Sequence, residues 1–73
     1  METEEHLAVA ARSARRRLWA AEVACYYAQK RFSRTEDAKD RLIWQGYQKE
    51  SKEALAAVRE AEAALAHAGP YLN

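Results

Sequence analysis

Apolar side chains recur along this chain in two separate runs, with alternating steps of three and four residues. Such spacing keeps one narrow stripe of a helix turned toward a partner helix, as in a coiled coil. The pattern therefore predicts an all-α fold, a two-helix antiparallel coiled-coil hairpin, either alone or dimerising into a four-helix bundle. The first run is Leu7, Ala11, Ala14, Leu18, Ala21, Cys25, Ala28 and Phe32, and the second is Trp44, Tyr47, Ser51, Ala54, Val58, Ala61, Leu65 and Ala68.

Capping residues predict where the two helices begin and end. Thr3 can cap the first helix, and Ser33 with Glu36 forms the S-x-x-E capping box of a second helix, for which Thr35 is a competing cap. Gly69 followed by Pro70 ends that helix. We expect a single helical-hairpin domain over residues 1–73, with helix 1 over about 3–32, the turn over 33–36, helix 2 over about 34–68 and a short tail over 69–73.

A turn at this place sets the two runs opposite each other with complementary sizes. Large side chains then face small ones, as close helix packing requires. The predicted pairs include Leu7 with Ala61 and Cys25 with Trp44. Alanine fills much of this seam, and two helices built from 73 residues bury little apolar surface. We therefore expect a homo-oligomer or a permanent protein partner.

The strongest functional lead is a second stripe on the outer side of helix 1. Its aromatic and aliphatic side chains cannot be covered by helix 2, and Trp, Tyr and Arg are enriched at binding hot spots. The stripe predicts a docking surface with an apolar centre and a basic rim, although it could instead close a homodimeric four-helix bundle. The predicted partner-binding residues are Trp19, Val23, Tyr26, Tyr27, Arg12, Arg16 and Lys30.

Gly46 adds one position on helix 2 to this set. A glycine inside a helix costs roughly 1 kcal/mol relative to alanine, so it marks a kink, a close approach by another chain or a tolerated neutral site.

The distribution of charge suggests an alternative hypothesis, in which helix 1 binds nucleic acid. Residues 6–35 carry seven Lys or Arg side chains against Glu22 alone, a net charge of +6. Basic side chains interleaved with aromatic ones can bind phosphates and stack on bases. The signal is weak, because the whole chain has a net charge of only +1 and no nucleic-acid-binding motif. The residues of this alternative are Arg12, Arg15, Arg16, Arg17, Arg31 and Arg34.

The sequence gives little support to catalysis or metal binding. No catalytic set can be assembled, and His6 and His67 are better read as surface residues than as metal ligands, so we expect neither an enzyme nor a cofactor nor a metal. The lone Cys25 fits a reducing compartment, and no apolar run is long enough to span a bilayer, which predicts a cytoplasmic protein. The richness in Ala and Arg is typical of a GC-rich bacterial or phage gene.

The sequence thus predicts a small accessory, adaptor or inhibitor-type protein that docks a helical face onto another protein.

Overall fold

The chain folds into two long helices packed against each other, which confirms the predicted helical hairpin. A computed structural model describes residues 4–68, with α1 over Glu4–Thr35 and α2 over Ala38–Ala68. Glu36 and Asp37 join them. The predicted cap at Thr3 and the predicted tail at 69–73 lie outside the described residues.

The hairpin is a thin rod, and this shape limits its core. Its extents are 55 × 17 × 13 Å, and its radius of gyration is 16.4 Å. A compact domain of this length would have a radius of gyration of about 11 Å. Most side chains of such a rod contact only one neighbouring helix, so large residues stay partly in water.

The seam consists of the side chains that the heptad spacing predicted. Ala11, Ala21, Ala54 and Val58 are buried, and the other members of the two runs are partly buried, except for Tyr47 at 40% exposure. Within residues 4–68 no large side chain is fully buried. The helices are held together by small residues in close contact, each of which contributes little apolar burial.

The turn lies later in the chain than the capping box predicted. Ser33 is inside α1, so its predicted capping role is wrong. Asp37 caps α2 instead: its Oδ1 accepts a 2.8 Å hydrogen bond from the backbone N–H of Lys39. Glu36 has a φ of 53°, a left-handed conformation at the end of α1, and its N–H donates to the carbonyl of Phe32 at 2.7 Å.

Contacts beside the turn explain why the chain accepts that conformation. Asp40 is buried, accepts a 2.6 Å hydrogen bond from the Thr35 hydroxyl and lies 3.3 Å from Arg31 Nε. The ring of Phe32 stacks on that of Trp44 at 5.8 Å between centroids. These contacts need α1 to continue beyond Phe32, which places the turn at Glu36.

The later turn also corrects the predicted register. Trp44 was predicted to face Cys25, but its ring stacks on Phe32, two turns nearer the end of α1. Cys25 is partly buried and shares a small depression with Ser51. The hydroxyl oxygen of Ser51 is buried without a hydrogen-bond partner. The residues of the seam were therefore predicted correctly except for Tyr47, whereas the predicted pairing of Cys25 with Trp44 was wrong.

Candidate functional site

The predicted docking residues lie on the outer side of α1, and the aromatic ones are strongly exposed. Trp19 is 69% exposed, Tyr27 65% and Tyr26 51%. Val23 lies one turn from both Trp19 and Tyr27 and is partly buried, although its position turns it away from α2. We attribute this burial to the neighbouring rings, since side chains four residues apart on a helix lie next to each other. The four residues thus form one apolar patch.

The end of the patch nearest the turn is organised by contacts between its own side chains. The rings of Tyr26 and Tyr27 meet edge to face, with centroids 5.4 Å apart, and Lys30 Nζ lies 5.0 Å from the centroid of the Tyr26 ring. They border an open depression of about 720 Å³, lined by Tyr26, Tyr27, Gln29, Lys30, Ser33 and Arg34. All of these residues belong to α1, so the depression offers a partner a surface that α2 does not share.

The basic residues of α1 divide into two groups. Three of them pair with carboxylates of α2: Arg15 Nη2 lies 2.6 Å from Glu62, Arg17 Nε lies 2.8 Å from Glu50, and Arg31 pairs with Asp40. Arg12, Arg16 and Arg34 are exposed and make no ion pair with any carboxylate of residues 4–68. Along the outer side of α1, Arg12 and Arg16 precede the aromatic patch and Arg34 follows it.

The pair between Arg17 and Glu50 also perturbs both groups. The hydrogen bond from Arg17 lowers the pKa of the Glu50 carboxyl, and the same bond raises the pKa of the Arg17 guanidinium. Each charge stabilises the other, so the charge of Arg17 is partly neutralised by α2, although an exposed pair contributes little to stability. Arg17 is therefore less suited to contact phosphate than the nucleic-acid hypothesis assumed.

The structure places Gly46 apart from the patch on α1. A methyl group added at Gly46 would have no neighbouring atom within 4 Å, so no close approach inside the hairpin requires glycine there. Its role toward a second chain stays a prediction.

Sequence reasoning missed a group of exposed apolar residues on α2. Leu42 is 64% exposed and Ile43 47%, and both precede Trp44 directly. Neither residue belongs to the heptad run, which was a signal that they would lie outside the seam.

Other kinds of site find no support in the part of the chain that the structure describes. No cluster of His, Cys, Asp and Glu within residues 4–68 could hold a metal ion. Neither helix, over those residues, is long and apolar enough to cross a membrane.

Comparison with known proteins gives no assignment. No protein-family model matches the chain, and neither a curated protein nor a solved structure shows significant similarity to it. The surface of the hairpin is therefore the remaining source of information about function.

Proposed function

We propose that this protein is a non-enzymatic protein–protein interaction module, of accessory, adaptor or inhibitor type, that docks through the aromatic and basic face of α1. The observation that carries the proposal is the placement of the large side chains. Among residues 4–68 the buried core consists of three alanines, one valine and Asp40, whereas Trp19 is 69% exposed. The residues best able to contribute binding energy lie on the outside of the hairpin.

The chemistry of the face supports this role. Trp19 and Tyr27 present large, stiff ring surfaces that lose little conformational entropy when they are covered. Val23 between them supplies an aliphatic centre, and Arg12 and Arg16 supply polar contacts at the rim. An apolar centre with a charged rim is the usual anatomy of a protein interface. Cytoplasmic location belongs to the same proposal and rests on the single cysteine.

The second candidate is a nucleic-acid-associated protein that uses the arginines of α1. It is favoured by the exposed Arg12, Arg16 and Arg34, which make no ion pair within residues 4–68 and flank aromatic rings. It is weakened because Arg15, Arg17 and Arg31, half of the predicted phosphate-binding set, pair with carboxylates of the same chain. Docking onto a protein is therefore the better-supported function.

The experiment that tests the proposal compares Trp19→Ala with Leu42→Ala. Both residues are exposed to a similar extent, 69% and 64%, but only Trp19 belongs to the docking face. We expect Trp19→Ala to reduce capture of the cellular partner by at least tenfold, and Leu42→Ala to leave it unchanged. The readouts are quantitative pull-down from the source cells and absolute mass by light scattering. Equal behaviour of both variants and the wild type would refute the docking role.

The wild type and Trp19→Ala also distinguish docking onto a protein from binding of nucleic acid. Phosphate contacts release counterions, so nucleic-acid binding should weaken steeply as salt increases and should depend on Arg16 more than on Trp19. A labelled oligonucleotide that binds the wild type tightly at physiological salt, and Trp19→Ala equally well, would favour the nucleic-acid candidate.

A further inference from the structure

Between Arg12 and Arg34 the outer face of α1 is symmetric in its chemistry. A helix turns by about 100° per residue, so seven positions of this stretch lie within about 40° of one common direction. In chain order they are Arg12, Arg16, Trp19, Val23, Tyr27, Lys30 and Arg34. Residues at equal distances before and after Val23 are of the same type. The first pair is aromatic, and the second and third pairs are cations.

Between Arg12 and Arg34 no carboxylate balances the cations on this face. Glu5 points in the same direction but lies about two turns before Arg12, in the first turn of α1. Glu22 is the only acidic residue between Glu5 and Glu36. It borders the same small depression as Cys25 and Ser51, which puts it at the edge of the seam and away from the outer direction. Because the other three basic residues of α1 pair with α2, the outer face keeps four cations, two at each end of an apolar centre.

This symmetry makes the face a poor match for a second copy of itself. A two-fold dimer brings the same surface from both chains together. If the two α1 helices ran antiparallel about Val23, Arg12 would face Arg34 and Arg16 would face Lys30. If they ran parallel, each cation would face its own copy. Both arrangements place like charges opposite one another beside a desolvated centre, which disfavours association.

We infer that the natural occupant of this face is an acidic helix of another protein, with an apolar centre and carboxylates toward both ends. This inference rests on the proposed docking function and names the class of partner. The inner cations, Arg16 and Lys30, are fourteen positions apart, or about 21 Å along the helix axis. A matching helix carries acidic residues with that separation on either side of about two turns of apolar side chains.

The test uses a charge-reversed copy of the full chain as the acidic probe. The variant carries Arg12→Glu, Arg16→Glu, Lys30→Glu and Arg34→Glu, all at exposed positions, and it keeps the aromatic centre. Mixed with the wild type, it should form a one-to-one complex by light scattering. Trp19→Ala in the wild-type chain should weaken that complex at least tenfold, and added salt should weaken it as well.

A matched control separates this face from simple attraction between oppositely charged chains. It carries Arg41→Glu, Lys49→Glu, Lys52→Glu and Arg59→Glu, exposed cations of α2 with the same total change of charge. This control should not bind the wild type. If the four-fold variant loses helicity by circular dichroism, the milder pair Arg16→Glu and Lys30→Glu replaces it and should still bind.

Three results would overturn the inference. The first is a helical charge-reversed chain that fails to bind the wild type. The second is a wild-type dimer that Trp19→Ala converts to a monomer, because the occupant is then a second copy. The third is a labelled single-stranded oligonucleotide that displaces the charge-reversed chain, which would identify a nucleic acid instead. If Trp19→Ala still abolishes partner capture in any of these cases, the docking function stands and only the class of partner is wrong.

Discussion

The buried hydroxyl of Ser51 leads to a prediction with an unusual sign, because removing a core side-chain atom should stabilise the hairpin. Ser51 lies in the middle of α2, at a seam position, and its oxygen has no hydrogen-bond partner. In the unfolded chain the same hydroxyl is hydrogen-bonded to water. Folding therefore removes a favourable interaction at this position and returns none.

The expected gain for Ser51→Ala has two parts. A buried polar group left without a partner costs about 1–3 kcal/mol. Alanine also has the higher helix propensity, which adds roughly 0.5 kcal/mol. The small cavity left by one oxygen offsets part of this. We expect the free energy of unfolding to rise by about 1–2 kcal/mol, which corresponds to an increase in Tm of roughly 4–16 °C for a domain of this size.

The matched control is Ser13→Ala. Ser13 is exposed and lies inside α1, so this substitution shares the gain in helix propensity but buries no hydroxyl. Thermal and urea unfolding followed by circular dichroism give both free energies, at one fixed protein concentration so that any oligomerisation affects the chains equally. The difference between the two variants isolates the cost of the buried oxygen.

An increase for Ser51→Ala no larger than that for Ser13→Ala would refute this reasoning. It would mean that a water molecule or a backbone carbonyl satisfies the hydroxyl in solution. A decrease would mean that the hydroxyl makes a favourable contact.

Three further predictions concern the core, the turn and the ion pair between the helices. Val58→Ala removes two buried methyl groups and should lower the free energy of unfolding by about 1–2 kcal/mol in urea melts, after the gain in helix propensity is subtracted. Glu36→Gly relieves a left-handed φ of 53° and should raise Tm, with a gain of about 1 kcal/mol. The folded-state pKa of Glu50 is lowered, mainly by its hydrogen bond from Arg17. Its small contribution to stability should therefore be present above the unfolded pKa of about 4.5 and be lost as the pH falls through the lower folded value. Glu50→Gln should remove this part of the pH dependence in a series of thermal melts.

The membership of the seam could be predicted because heptad spacing is a property of each helix alone. The pairing of its residues depends on a different quantity, the position of the turn. Three candidate caps, Ser33, Thr35 and Asp37, lie within five residues, and local preference does not distinguish them strongly. The position of the turn is set by contacts that only the folded chain contains, between Thr35 and Asp40 and between Phe32 and Trp44.

For the candidate site, the direction of the side chains could be predicted, whereas their ion pairs could not. The outer position of Trp19 and Tyr27 follows from helical periodicity, and their exposure agrees with it. Helical periodicity did not predict which arginines remain unpaired. That depends on the register of α2 and on the edge of α1 at which each guanidinium lies. Arg15 and Arg16 are neighbours in the chain, yet only Arg15 pairs with a carboxylate of residues 4–68.

The short turn also has a consequence for the order of folding. The hydrogen bond between Thr35 and Asp40 spans five residues, whereas the one between Arg15 and Glu62 spans 47. Closing the longer loop first would cost roughly 2 kcal/mol more in chain entropy. The hairpin should therefore close like a zipper from Glu36 outward and open from its other end, so that amide hydrogen exchange is fastest near Glu4 and Ala68 and slows toward the turn.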